Sequence, residues 1–363
     1  MSNEHLHAKH EAMTNVIYAT PGMLPNRYVF VVTNLCNLKC RFCFQARDKR
    51  ADAMRLEDWL NVARQLPSYA RVTLTGGEPL MFPGFKELFV HVAERFDCNM
   101  ITNGLLLDEQ TIDLLLEHPK FRVLSISMDG LNNKSRGVSE GQWQRVEAML
   151  RYFVERKAAT GSNCVLDIKA LILDENAESL FELYRHCVEE IGCNSFAFQL
   201  LKGSSMQHAD VMYPFDDIFK ESPAPVYKNF PEILRQLKRV REYSLKTGTK
   251  AFLHPKVASL MSDADIGDID YINRRTFPQE RFLPCRAPWS SIHINVDGDV
   301  FPCLAVPMGN VKTMPLEKII HGEAFSRFKE TIRERGEVAA CNRCGWLKPA
   351  PPDATVLPRS DVV

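Results

Sequence analysis

Short apolar runs alternate with longer segments of helical periodicity over the first two thirds of the chain. The strand-like runs are Tyr28–Thr33, Arg71–Thr75, Cys98–Thr102, Arg122–Met128, Val165–Leu171 and Ser195–Leu200. They are rich in Val, Ile, Leu and Phe, as strands covered on both faces should be. Between them, Leu56–Leu66, Gly84–Phe96, Leu107–Leu116, Gly141–Lys157 and Ala177–Ile191 space their apolar residues at helical intervals. This alternation predicts an α/β fold whose parallel sheet is built from six βα units. The order alone fits a flat doubly wound sheet and a curved partial barrel equally well. A loop with Pro214, Pro223 and Pro225 follows, then a helix over Pro231–Lys246. Pro231 suits its first turn and Gly248 its end.

From about residue 249 the pattern changes. Ser291–Val296 and Asp299–Phe301 read as short strands joined through Asp297-Gly298, a hairpin signal. One helix is expected over Pro315–Glu334, and the prolines at 349, 351, 352 and 358 predict an extended tail. The expected divisions are an N-terminal extension (1–27), the α/β unit (28–247), a smaller α+β unit (248–348) and the tail (349–363). At 363 residues, about two domains are expected.

Charge narrows the choice of partners. Lys+Arg and Asp+Glu both number 45, so the chain has no global attraction to nucleic acid or anionic lipid. No apolar run is long enough to span a bilayer. Residues 1–25, with His5, His7 and His10, lack the basic start and apolar core of a signal peptide. The expectation is a cytoplasmic protein with neither nucleic acid nor membrane as partner.

Eleven cysteines are many for that compartment, where clustered thiols point to metal or redox work. Cys98, Cys164, Cys187 and Cys193 stand singly and read as buried small hydrophobes. Cys36, Cys40 and Cys43 form C-x3-C-x2-C directly after the first strand, at the sheet end where α/β active sites gather. Three thiolates can hold three corners of a four-iron cube and leave one iron open. A zinc ion completed by a distant His is the competing reading.

This loop resembles the signature of the radical S-adenosylmethionine (SAM) superfamily, CxxxCxxC after the first strand of a partial (β/α)6 TIM barrel. The resemblance implies that the open iron chelates SAM, whose reductive cleavage yields a 5′-deoxyadenosyl radical that abstracts hydrogen from substrate. It also implies a reducing partner such as flavodoxin or ferredoxin. Phe42 and Phe44 match the aromatic positions that border the adenine. Gly76-Gly77-Glu78-Pro79 after the second strand resembles the GGEP motif that holds the SAM amino group. Two glycines permit close backbone approach, and Glu78 offers a carboxylate to an ammonium. Asn103 ends strand three; Ser127 and Asp129 end strand four and match the segment near the SAM ribose and methionine part. Arg136 matches an arginine that reaches the SAM carboxylate in some relatives. The resemblance covers roughly residues 28–247.

A second set, Cys285, Cys303, Cys341 and Cys344, has the spacing C-x12-G-x4-C followed by C-x2-C. Four thiolates fill every corner of a cluster, and they also suit zinc. The spacing resembles the SPASM/Twitch extensions of radical SAM enzymes. With no cysteine after Cys344, the expectation is the Twitch type with one auxiliary [4Fe–4S] cluster, two clusters in all. Molybdopterin-precursor cyclases, with three such cysteines and a Gly-Gly tail, fit less well than the four-cysteine aminocyclitol dehydrogenase of butirosin biosynthesis.

A fully ligated cluster implies electron acceptance, so the expected reaction is a radical oxidation of the dehydrogenase type. Lys169, Gln199 and Lys202, on or just after strands five and six, are the candidate catalytic residues. A lysine of depressed pKa could remove the proton, although Lys169 can instead pair with Asp167. Substrate is a small molecule or a peptide. Peptide-modifying relatives often carry a leader-binding domain of about 80 residues, against 27 residues before the first strand here. An iron–sulfur or zinc protein without turnover is the nonenzymatic alternative.

Overall fold

The computed structural model describes residues 3–43, 45, 52–220, 226–248, 250–254 and 282–349. Expectations placed on Phe44 and on most of the tail lie outside the described residues.

Parallel strand–helix units make up the first part. They are β1 (Arg27–Val31), α2 (Leu56–Arg64), β2 (Arg71–Thr75), α3 (Phe85–Arg95), β3 (Asp97–Thr102), α4 (Glu109–Glu117), β4 (Phe121–Ser127), α5 (Glu140–Thr160), β5 (Val165–Leu171), α6 (Leu180–His186), β6 (Ser195–Gln199), α7 (Phe230–Thr247) and β7 (Lys250–His254), all preceded by α1 (Asn3–Ala19). Later strands are β8 (Phe282–Leu283), β9 (Ser291–Ile294), β10 (Asp299–Phe301), β11 (Gly309–Asn310) and β12 (Lys348–Pro349). One sheet runs β11-β10-β9-β1-β2-β3-β4-β5-β6-β7, and β8 pairs with β12 in a second.

The six expected strands are all present, and the sheet is that of a partial TIM barrel followed by a C-terminal extension. It is also wider than expected. β7 adds in parallel to β6, and β9 adds in parallel to the free side of β1. The hairpin through Asp297-Gly298 forms as β9 and β10, with Gly298 at φ +90°. Two helices stand where one was expected over Pro315–Glu334: Leu316–Ile320 and Glu323–Arg335, with Gly322 capping the second. Ala177–Ile191 opens as a 3-10 turn and closes as a single π-helical turn around α6.

Strand register sorts the side chains into layers. Leu124, Ile126, Ile168, Phe196 and Phe198 are buried on one face, where Tyr184 of α6 meets Phe196 edge-on. The alternate residues form rows on the other face. Val123 pairs with Val165, then Ser125 with Asp167 and Ser195, then Ser127 with Lys169 and Ala197, then Leu171 with Gln199. This second face passes from apolar at its amino end to polar at its carboxyl end. α1 covers the apolar end, where Leu6 packs with Val123 and Val165.

β1 is held from both sides and from below. Fully buried Trp59 of α2 lies 5.0 Å from the Phe30 ring. Trp59→Ala is therefore expected to cost about 3–5 kcal/mol of stability, read by chemical unfolding of the metal-free protein.

Candidate active site

The cysteine loop is locked to β2 before its first cysteine is reached. The Gly77 amide donates to the Thr33 carbonyl at 2.7 Å, and the Glu78 amide to the Leu35 carbonyl at 2.8 Å. A Cβ on Gly76 would lie 2.5 Å from the Thr33 oxygen, and one on Gly77 would lie 2.3 Å from the Leu35 oxygen. The close approach that the glycines permit is thus made by the Cys36 loop itself.

The Glu78 carboxylate, fully buried, accepts from Thr102 Oγ1 at 2.7 Å, the Asn103 amide at 2.9 Å and the Leu80 amide at 3.2 Å. Burial raises its pKa to about 7 against the opposing pull of those donors. Glu78 therefore ties the turn after β2 to the end of β3, with Pro79 opening the short 3-10 turn behind it.

From there the ties return to the cysteines. The Asn103 side-chain amide donates to Asn37 Oδ1 at 2.8 Å and lies 3.8 Å from Cys36 Sγ. Cys40 Sγ lies 3.8 Å from the Arg136 carbonyl oxygen. The Arg136 guanidinium donates to Asp129 at 2.9 Å and covers the Phe42 ring at 5.3 Å. Asp129 is itself fully buried and also accepts from the Leu171 amide. Ser127 ends β4 half-buried, its carbonyl accepting from Asn133. Phe42 and Arg41 line a cleft of about 280 Å³ with Leu173, Leu201, Val226 and Tyr227.

Lys169 takes the alternative role foreseen for it. Its ammonium lies 2.9 Å from the buried Asp167 carboxylate, which also accepts from Ser125 and Ser195 hydroxyls. An ammonium so paired donates rather than accepts, which opposes the role of base. Gln199 lies half-buried at the end of β6. Burial lowers Lys202 to about 7, against the raising effect of Cys344 and Cys43.

Cys285, Cys303, Cys341 and Cys344 gather as expected. Cys341 is within electrostatic reach of the other three, and Cys303 of Cys285 and Cys344. Burial pushes all four thiols up, Cys285 to about 12. Bare thiolates are disfavoured there, so the thiols stay protonated unless a bound metal compensates their charge. A single zinc would hold its sulfurs about 3.8 Å apart, given a Zn–S length of about 2.3 Å. Among the described residues, no three His, Cys, Asp or Glu side chains converge on one ion in that way. Four thiols so gathered are a ligand set for zinc or for a four-iron cluster. Cys98, Cys164, Cys187 and Cys193 are buried, as expected.

Sequence reasoning missed the loop that touches this second set. Gln207 donates to the carbonyls of Ala340 and Asn342 at 2.8 and 2.6 Å, and the His208 amide donates to the Cys303 carbonyl at 3.0 Å. No local motif signals contacts across more than 90 residues. Arg343, within the C-x2-C turn, sits at φ +55° with its guanidinium over Tyr227.

Two outcomes follow from the GGEP turn. Gly77→Ala should cost about 1–3 kcal/mol through overpacking, and should lower iron uptake by the first cysteine set, measured by unfolding and iron assay. Glu78 holds its proton longer in the folded than in the unfolded chain, since its pKa rises from 4.5 to about 7. Its stabilising contribution is present below about pH 4.5 and is lost as pH rises through about 7. Metal-free wild type should therefore lose stability relative to Glu78→Gln between about pH 5 and pH 8, as read by urea unfolding.

Comparison with known proteins agrees with this geometry. The model for the radical SAM superfamily matches residues 30–187, and the SPASM model, an iron–sulfur cluster-binding domain, matches residues 285–345. The sporulation killing factor maturation protein SkfB of Bacillus subtilis (strain 168) is 28% identical over 51% of this chain and 44% of its own length. The antilisterial bacteriocin subtilosin biosynthesis protein AlbA of the same strain is 21% identical over 85% of this chain and 60% of its own. This chain thus spans about half the length of these curated relatives. The crystal structure of Streptococcus suis SuiB bound to precursor peptide SuiA superimposes with a TM-score of 0.62 at 19% identity, covering 89% of this chain and 70% of that one. SuiB has also been solved bound to SAM. The cofactors of such a chain are [4Fe–4S] clusters and SAM. The chain carries a radical SAM superfamily domain over residues 30–187 and, over residues 285–345, a C-terminal iron–sulfur cluster-binding domain of the SPASM type.

Proposed function

We propose that this chain is a SAM-cleaving enzyme that oxidatively modifies a residue within a peptide. Cys36, Cys40 and Cys43 hold the first cluster; Cys285, Cys303, Cys341 and Cys344 hold one auxiliary cluster. When bound, these groups supply a radical initiator at the first site and an electron acceptor at the second. The observation that carries the reading is the pair of thiol sets, one three-membered and tied to the sheet's carboxyl end, the other four-membered with three thiols buried and Cys285 half-buried.

This chain's own residues orient the reaction. Asn103, held to the Cys36 loop, and the Asp129–Arg136 pair beside Phe42 form the walls against which SAM is placed. Gly76, Gly77, Glu78 and Pro79 fix the cysteine loop. Lys169, presented by Asp167, and Gln199 meet the substrate on the polar face of the sheet.

A peptide is favoured over a small molecule by the relatives. SkfB is named for maturation of the sporulation killing factor and AlbA for biosynthesis of the bacteriocin subtilosin, and SuiB binds a precursor peptide. Anaerobic reconstitution should load about eight irons, and the triple variant Cys36→Ala, Cys40→Ala, Cys43→Ala about four, with loss of the SAM-sensitive paramagnetic resonance signal. About four irons falling to none, with zinc retained, would remove the auxiliary cluster and with it the oxidative subtype. Turnover of aminosugars and not of precursor peptides would replace the substrate class.

A further inference from the structure

We infer that Lys202 couples the two cysteine sites electrostatically, its ammonium raising the reduction potentials of the groups held at Cys43 and Cys344. The inference rests on the two-cluster reading above and gives Lys202 a task other than proton removal.

The loop after β6 carries Lys202 from the barrel to the auxiliary cysteines. Lys202 Nζ donates to the Gln207 carbonyl at 2.6 Å, folding the side chain over its own loop. That loop is gripped from both sides of the four-thiol set. On one side, the Gln207 side chain bonds the carbonyls of Ala340 and Asn342, the two neighbours of Cys341. Gly203 lies so close to the same turn that a Cβ would stand 2.5 Å from the Asn342 oxygen. On the other side, Gln207 bridges to Leu304 and the His208 amide bonds the Cys303 carbonyl.

The clasp fixes Lys202 within electrostatic reach of Cys344 and, beside the cleft that Leu201 shares with Arg41 and Phe42, of Cys43, and negative charge at those two sites favours its ammonium against the effect of burial. Reducing an iron–sulfur cluster adds negative charge, and a fixed neighbouring cation in a weakly screened interior stabilises that charge. One side chain near both sites acts on both potentials.

The test is a potentiometric titration followed by paramagnetic resonance, without substrate, on the reconstituted full chain. Wild type, Lys202→Arg and Lys202→Gln are compared, with Lys202→Met as a second neutral variant and iron content measured on each. The expected result is a lower midpoint potential for both signals in the neutral variants and near wild-type values in Lys202→Arg. Full iron with unmoved potentials in the neutral variants overturns the inference alone, as does an equal shift in Lys202→Arg. About four irons in wild type overturns the two-cluster reading and this inference with it.

Discussion

The structure turns on a backbone-to-backbone contact that no side chain could accommodate. Gly76 and Gly77 lie directly against Thr33–Leu35, and two amides of the turn bond the carbonyls that lead into Cys36. Everything at the first thiol site is referenced to this contact. Glu78, the next residue, carries it across to the end of β3, and Asn103, just after β3, returns it to the Cys36 thiol. The result is a closed circuit, β1 to β2 to β3 and back, in which a flexible cysteine loop acquires the position of three strand ends.

Burial sets the electrostatic character of both thiol sets. The four C-terminal thiols are raised by desolvation, so thiolate character requires compensating metal. Around the first set, charge is neutralised locally: Arg136 with Asp129, Lys169 with Asp167. Each buried carboxylate is further satisfied by donors from a neighbouring strand or loop, which limits the desolvation penalty of holding it inside.

The alternating elements were legible because strands covered on both faces must be apolar throughout and their helices must be amphipathic. The cysteine spacings were legible because ligands cluster locally. α1 was not, since Leu6, Met13 and Ile17 are outnumbered by polar neighbours and only docking beneath the sheet makes them an apolar face. β7 was missed because five residues, Lys250–His254, carry too little pattern to outweigh the change of character nearby. The contacts of Glu78 with Thr102 and Asn103, and of Arg136 with Asp129, could not be read from motif alone, because their partners lie on other strand ends and loops. Gln207 was invisible for a simpler reason: its partners lie 133 and 135 residues away.

The parallel pairing of β9 with β1 has a consequence for how the chain may be divided. β1 is flanked by β2 on one side and, on the other, by a strand from nearly the end of the described chain. Cutting the chain after α7 would not release a finished barrel. It would bare a row of unpaired amides and carbonyls on an apolar strand, a template for intermolecular pairing. The C-terminal segment is thus a protective edge as well as a holder of thiols, and the two halves are obliged to fold together.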